Sequence, residues 1–307
     1  MSRRPGLSAE RITSLATELF GGEQVEIAPV GTPGMETQAF RVESARATRC
    51  LRIGFGLGGF RKDAWAASTF GDVLPVPKVR AMGELPDGNA YCLSDWAPGE
   101  TVQDLTPDQV QRITPLVFEA WTRLQAGVID RTSGFGLLDQ DTLTGPYRSH
   151  RERLRADLAG VEGWPDDWTD GRQHAISAVV DRVGSLIDAC PEERGLVHGD
   201  WGTNNILAED DRVTAILDWE AAEIGDPLQD IAGRFWEFWP PVSTCVRAQA
   251  DHADRQLGRL PDYRARVLCH DLLTGISEIT ESLADGEHDF AERCLDQCLE
   301  LLETYIP

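Results

Sequence analysis

The spacing of apolar residues changes once along this chain of 307 residues, near residue 100, and that change constrains the fold more than any single motif. Before it, "VEIAPVGTPGMETQAFRVESARATRCLRIGF" and "LPVPKVRAMGELPDGNAYCLSDW" alternate apolar and polar positions between turn residues, which predicts strands, with Pro-Asp-Gly-Asn as a hairpin turn. After it, "TPDQVQRITPLVFEAWTRLQAG", "RQHAISAVVDRVGSLIDAC" and the last 45 or so residues repeat at helical spacing. The expectation is an α+β protein: a small β-rich lobe over residues 1–95, a connector around Ser94 to Gly99, and a larger helical lobe over 96–307. Within the first lobe, Ser8 should cap a helix from Ala9 to Phe20 with Leu7 packed on Ile12, and a short helix should lie near Ala64 to Phe70.

One segment breaks the helical half. "LVHGDWGTNNIL" places His198, Asp200, Asn204 and Asn205 between apolar ends, and "ILAEDDRVTAILDW" follows as two short apolar runs around a polar turn, Glu209 to Arg212. Folding that hairpin brings Asn205 and Asp218 together at its open end, with Asp200 a few residues upstream. A carboxamide and a carboxylate there make a hard oxygen donor set of the kind that suits Mg²⁺ bridging phosphate oxygens. Asp200 then remains to orient a hydroxyl and to accept its proton late in phosphoryl transfer, since an ordinary carboxylate near pKa ~4 is too weak to ionise an alcohol first. Gly199 and Gly202 would also permit these polar residues to be plain turn formers, but the order His-Gly-Asp, Asn, strand, Asp is hard to obtain from turn chemistry alone. His198 is read as a loop scaffold without a chemical step. Dinuclear metallophosphatases use the order Gly-Asp-x-His-Gly, which is absent, and the remaining histidines form no metal-binding cluster along the sequence.

Composition narrows the partners. A formal net charge of −22 disfavours nucleic acid and anionic lipid and favours cationic partners, although a solvated, solubility-promoting surface accounts for it equally well. No apolar run reaches the ~20 residues of a membrane span and no leader pattern opens the chain, so a cytoplasmic location is expected. The 7 scattered cysteines suit reduced thiols, and Cys294 with Cys298 reads as one helix face. The sequence sets no oligomeric state.

"HGDWGTNN", "ILDWE" and "GDPLQDIA" together resemble the catalytic loop, metal-binding segment and following helix of the aminoglycoside phosphotransferase family, whose fold is protein-kinase-like and bilobal. "LPVPKV", "YCLSDWAPGETVQDL", "TSGFG" and "LADGEHDFA" extend the likeness along nearly the whole chain, most closely to the branch acting on hygromycin B. The resemblance implies Asp200 as the catalytic residue, Asn205 and Asp218 as Mg²⁺ ligands, and Asp226 as a brace. It also implies ATP or GTP as the phosphate donor. Arg52 stands where the family usually has a Lys for the nucleotide phosphates, and Asp63 where the bracing carboxylate is more often Glu. Lys62 is an alternative phosphate contact, although a solvated helix-end Lys is the plainer reading. "VGTPGMETQAF" would cover the phosphates through Gly31, Gly34 and amides near Thr37, and the base would meet backbone groups of Ser94, Asp95 and Trp96.

The acceptor is expected beside Asp200, with Glu220 and Glu223 for ammonium groups and Trp236 and Trp239 either stacking on sugar rings or filling core. A rival lies in Gly54, Gly56 and Gly59, which spell G-x-G-x-x-G between a strand and a helix. Two prolines and a hairpin follow where a dinucleotide-binding fold needs a second parallel strand. The reading is a nucleotide-dependent kinase of an aminoglycoside-type antibiotic, hygromycin B first. The alternatives are a same-fold kinase of another amino-hydroxyl compound, such as a different antibiotic or a choline-like metabolite, and a pseudokinase that only binds.

Overall fold

A computed structural model of the chain describes residues 7–31, 37–127, 129–159 and 170–304. In chain order the elements are α1 (Ala9–Leu19), β1 (Glu26–Pro29), β2 (Gln38–Glu43), β3 (Thr48–Gly54), α2 (Gly58–Phe70), β4 (Val79–Glu84), β5 (Ala90–Asp95) and β6 (Glu100–Thr101). Then come α3 (Pro107–Gln125), β7 (Gly136–Leu137), α4 (His150–Ala159), α5 (Asp170–Leu186), β8 (Gly195–Val197), β9 (Ile206–Glu209), β10 (Arg212–Ile216) and β11 (Glu223–Gly225). The chain closes with α6 (Pro240–Leu257), α7 (Tyr263–Ala284) and α8 (His288–Thr304). The mixed α+β class expected from the period change is the one observed.

Contacts divide the chain into two compact units: residues 1–100 with 205–220, and residues 101–204 with 221–307. In the first, β1 to β5 form one antiparallel sheet in the order β1-β2-β3-β5-β4. Because β3 pairs antiparallel with both β2 and β5, Gly54, Gly56 and Gly59 sit in no parallel strand–helix–strand unit. The glycine rival is thereby removed. Alternation along the strands buries Val42, Leu51, Ile53 and Leu93 against Ile12 and Ala16 of α1, with Leu7 packed on the same cluster. The Ser8 hydroxyl accepts the Arg11 N–H at 3.3 Å, the cap expected from the sequence.

One boundary differs from expectation. The helix predicted near Ala64 begins at Gly58, because the glycines of its first turn carry no helical signal of their own. Their start is fixed from elsewhere in the unit, as the site shows below. The tip of the β9–β10 hairpin is Asp210 and Asp211, both left-handed at φ 49° and 54°, the geometry of a tight two-residue turn.

In the second unit the helices α5, α7 and α8 enclose a core of Ile176, Val179, Val183, Leu268, Leu272, Ile276, Leu295 and Leu301. A small antiparallel sheet, β7-β11-β8, carries the segment that leads into His198. Its strands are too short to stand alone, and they lie where the chain enters the polar loop.

Candidate functional site

The hairpin brings Asn205 and Asp218 together. Ile206 faces Ile216 across the strands, and the Leu217 N–H donates to the Asn205 carbonyl at 2.8 Å, so the two residues flank the open end. Asn205 is buried and Asp218 exposed. Asp218 is held in the left-handed region at φ 59°, an uncommon state for a residue with a Cβ and one that tertiary contacts must maintain.

Those contacts are visible in the next two residues. The Trp219 N–H donates to Asp63 Oδ1 at 3.0 Å, its indole N–H donates to the Ile216 carbonyl at 3.3 Å, and its ring stacks on Phe70 at 5.6 Å. The other Asp63 oxygen pairs with Arg52. One carboxylate on α2 thus binds both the guanidinium of β3 and the backbone that follows Asp218. Burial works against the Arg52 charge, but Asp63 and the Cys92 and Cys50 sulfurs outweigh it, so the guanidinium pKa is raised and the group stays cationic.

Lys62 is a correction. It is buried, not solvated, and its ammonium donates to the Glu220 carbonyl at 2.5 Å, which ties α2 to the hairpin exit. Glu220 itself is exposed and lies over the start of α2: a Cβ added at Gly59 would come 2.9 Å from its Oε2. No side chain of the preceding residue caps that helix, and a carboxylate at the amide end suits the positive pole of the helix.

The nucleotide-side residues are placed as follows. Gly31 has φ 61°, and a Cβ at Gly54 would come 3.1 Å from the Thr37 methyl, so Thr37 packs on the end of β3. Gly34 lies outside the described residues. Ser94 is buried in β5 between Cys50 and Val79. Asp95 is engaged with the sheet edge: its N–H donates to the Lys78 carbonyl at 2.9 Å and its carboxylate accepts two bonds from Arg80, at 2.7 and 2.6 Å. The Arg80 bond lowers the Asp95 pKa. The Arg41 guanidinium lies 5.6 Å from the centre of the Trp96 ring.

In the second unit, β8 delivers the chain into the loop. The His198 and Gly199 N–H groups donate to the two Asp230 oxygens at 2.9 and 3.0 Å, and the Asp200 N–H donates to His198 Nδ1 at 3.3 Å. His198 is fully buried and meets Trp201 edge to face at 5.7 Å. It is therefore placed as a holder of the loop backbone. Gly199 has φ 82°, and a Cβ there would come 2.1 Å from the Ala221 carbonyl, so only glycine fits. A Cβ at Gly202 would come 3.1 Å from Asp200 Oδ1 and 2.4 Å from Asn204 Oδ1, so both side chains fold over that glycine. Gly202→Ala is expected to displace Asn204, crowd the Asp200 carboxylate and lower kcat by about tenfold with the melting temperature nearly kept; steady-state kinetics beside a thermal melt checks it.

Asp230 stands in the sequence among the acidic residues that could meet ammonium groups of the acceptor, and its hold on the loop backbone was not anticipated. Its signal was the second Asp of "GDPLQDIA", which composition alone does not separate from a solvated helix residue. Burial pushes its carboxyl up to about 7, the two loop N–H groups pull against this, and the Glu223 and Asp200 charges add to the rise. An acid with a folded pKa above its unfolded value binds more protons folded than unfolded between pH ~4 and ~7. Stability should therefore fall as pH rises through that window. Asp230→Asn should make that fall shallower by about 1–2 kcal/mol in denaturant titrations at pH 4.5 and 7.5.

Asp226, the expected brace, lies at the head of the turn Pro227–Ile231. It is fully buried, accepts the Leu228 N–H at 3.1 Å, and takes a two-pronged grip from Arg266 at 2.8 and 2.6 Å. Burial would raise its pKa, but the two Arg266 bonds and the nearby His270 imidazole prevail and hold it well below the usual carboxylate range.

The acceptor candidates of the second unit have partners within the fold. Glu223 is buried in β11 and pairs with Arg153 at 3.0 Å. Trp236 and Trp239 are not on one α-helix: a 3₁₀ turn spans Arg234–Phe238, and Trp239 caps α6. Trp236 packs on the helical core beside Phe235 at 5.0 Å, and Trp239 meets Phe290 edge to face at 5.3 Å with the Arg293 guanidinium over its ring at 5.1 Å. Carboxylates that the sequence did not single out line a cleft of about 580 Å³: Asp157, Glu278 and Glu281, beside Arg153 and Gln229. They come from α4 and α7, too far apart in sequence to read as a group.

Residues 63–270 match the profile of the Phosphotransferase enzyme family (APH). Hygromycin-B 4-O-kinase of Escherichia coli is 30% identical over 96% of this chain and 86% of its own. The crystal structure of aminoglycoside phosphotransferase APH(4)-Ia is 28% identical, covers 98% of this chain and 100% of that one, and superposes with a TM-score of 0.85. A thermostable mutant of APH(4)-Ia in ternary complex with AMP-PNP and hygromycin B is 29% identical over 95% of this chain and 98% of that one, with a TM-score of 0.84.

Proposed function

The chain belongs to the phosphotransferase enzyme family, and from that premise we propose that it transfers a phosphoryl group from ATP or GTP to a hydroxyl of an aminoglycoside-type antibiotic, hygromycin B first. A phosphate added to such a cation changes its charge and bulk, so resistance follows. The observation that carries the chemistry is the hairpin end where Asn205 and Asp218 meet, tied through Trp219 and Asp63 to Arg52. The likeness to the hygromycin kinase along nearly the whole chain supports the acceptor.

The oxygen donors of Asn205 and Asp218 fit a hard cation, and they would hold Mg²⁺. Bound there, the ion supplies charge neutralisation and alignment of the phosphate oxygens. Arg52 grips the nucleotide phosphates as a fork and Asp63 keeps that fork in place. The stretch containing Gly31, Gly34 and Thr37 covers the phosphates with backbone amides, and the segment Ser94 to Trp96 meets the base. Asp200 aligns the acceptor hydroxyl and receives its proton late, when the developing bond has made the oxygen acidic. His198 and Asp230 keep the Asp200 backbone where it is, and Asp226 braces the turn that carries Asp230. Residues 1–95 would then serve the nucleotide and 96–307 the catalysis and the acceptor.

For the acceptor, exposed Glu220 stays the candidate for an ammonium contact. Glu223, Trp236 and Trp239 would act by supporting the pocket wall, given their partners. No helix among the described residues is long and apolar enough to cross a membrane. With a net charge of −22 the protein would work in the cytoplasm on a cationic small molecule, away from nucleic acid and lipid.

The test is a nucleotide-consumption screen against hygromycin B, other aminoglycosides and choline, with product mass measured. An added phosphate on hygromycin B is the expected outcome. Turnover with another amino-hydroxyl compound alone would shift the reading to a same-fold kinase, and none with any acceptor would point to a binding protein. In the same assay Arg52→Ala is expected to raise the nucleotide KM by about tenfold or more, and Arg52→Lys by less, because a point charge keeps the attraction but loses the fork.

A further inference from the structure

Behind the Asp226 brace, three side chains from distant parts of the second unit meet. His150 opens α4, Cys190 closes the turn after α5, and His270 lies mid-way along α7. Their donor atoms all lie within 4.8 Å of one another and all three residues are buried. The sequence, in which no histidines cluster, predicted no such group.

Two features distinguish it from ordinary core. His150 has no exposed surface, yet neither of its ring nitrogens has a hydrogen-bond partner, and His270 Nε2 has none of good geometry, lying 3.4 Å from Asp226 Oδ2. A buried imidazole with both nitrogens unmet costs stability, whereas native interiors pair nearly all such groups. The ring also cannot turn away easily. A Cβ at Gly225 would come 2.9 Å from its Cε1, and the His150 N–H is tied to Glu192 at 2.8 Å. Arg151 donates to the Cys190 carbonyl at 3.2 Å, which docks the start of α4 on the turn bearing the thiol.

We propose that the second unit binds one Zn²⁺ ion through His150, Cys190 and His270. Two imidazoles and a thiolate are a borderline-soft donor set, unlike the hard oxygens of Asn205 and Asp218, and they suit zinc. Bonds of ~2.0–2.1 Å to nitrogen and ~2.3 Å to sulfur put tetrahedral donors about 3.5 Å apart, so no side of the triangle need close by more than about 1.3 Å on binding. The Cys190 thiol proton leaves to solvent as the zinc–sulfur bond forms, and the metal then fills the place of the missing hydrogen bonds. The ion joins α4, the turn after α5 and α7, the elements packed around Asp226, and its role is structural.

The experiment uses the full chain without a histidine tag, stripped with chelator, then given Zn²⁺ or Co²⁺ with Mg²⁺ in excess. About one equivalent of zinc should survive gel filtration, and the melting temperature should rise by about 5–10 °C at free Zn²⁺ one hundredfold above Kd. The Co²⁺ form should show a thiolate-to-metal charge-transfer band. Cys190→Ser should abolish that band, while His174→Ala, an exposed histidine elsewhere, should keep it. Under about 0.2 equivalent of zinc with no thermal shift in the unaltered protein would overturn the proposal. So would a Co²⁺ spectrum lacking the band, or one untouched by Cys190→Ser. These readouts are independent of phosphoryl transfer.

Discussion

Asp200→Asn lowers kcat by about 10²- to 10⁴-fold while the KM for nucleotide stays within about twofold and the melting temperature within a few degrees. The size is the usual worth of a positioned base in proton transfer. The selectivity follows from the geometry. The loop is held through its backbone, by Asp230 on the N–H groups of His198 and Gly199 and by His198 Nδ1 on the Asp200 N–H. An amide at position 200 should keep those bonds and remove only the charge proposed to aim the hydroxyl and take its proton. Stopped assays at saturating and limiting nucleotide separate the two constants. Turnover within fivefold of the parent would remove Asp200 from the chemistry.

The largest structural effect is expected at the Asp226–Arg266 pair. Arg266→Met leaves a carboxylate with no surface exposure to face the interior without its two-pronged partner. Breaking a buried ion pair from one side costs about 3–5 kcal/mol, because the remaining charge keeps its desolvation penalty. For a unit of this size that amounts to a fall of roughly 10 °C in melting temperature. Asp226→Leu combined with Arg266→Met should regain much of the loss, since the penalty disappears with the charge. Kinetics add a second readout: Asp226 caps the turn that carries Asp230, so Arg266→Met should also lower kcat, whereas it should scarcely alter nucleotide KM.

Much of this was legible in the sequence because it is local. A period of two against a period of 3.6 distinguishes strand from helix, and the β9–β10 hairpin follows from two apolar runs and a polar tip. The pairing of Asn205 with Asp218 follows from that hairpin without any tertiary information. What was illegible is what depends on partners far along the chain. Lys62 looked like a solvated helix residue, yet the carbonyl that buries it is Glu220. Glu223 looked like an acceptor contact, and Arg153 from α4 claims it. The tryptophans of "FWEFW" were open between pocket and core, and Phe235, Phe290 and Arg293 surround them. His150, Cys190 and His270 carry no shared spacing at all, so only the packing of three helical segments reveals them.

The double duty of Asp63 has a consequence for how such chains can vary. Arg reaches about one bond further than Lys, and Asp one bond less than Glu. Arg52 with Asp63 therefore spans nearly the same gap as the Lys and Glu more usual in the family, with the division point moved along it. Because the second Asp63 oxygen also fixes the Trp219 amide, lengthening the acid alone would push the Asp218 segment outward, and shortening the base alone would leave the gap open. Positions 52 and 63 should therefore be inherited as one character, whereas the bond at 219 comes from the backbone and does not depend on the residue there. A lineage can cross between the two solutions by changing both members of the pair, and the single-step intermediates should be the poorer enzymes.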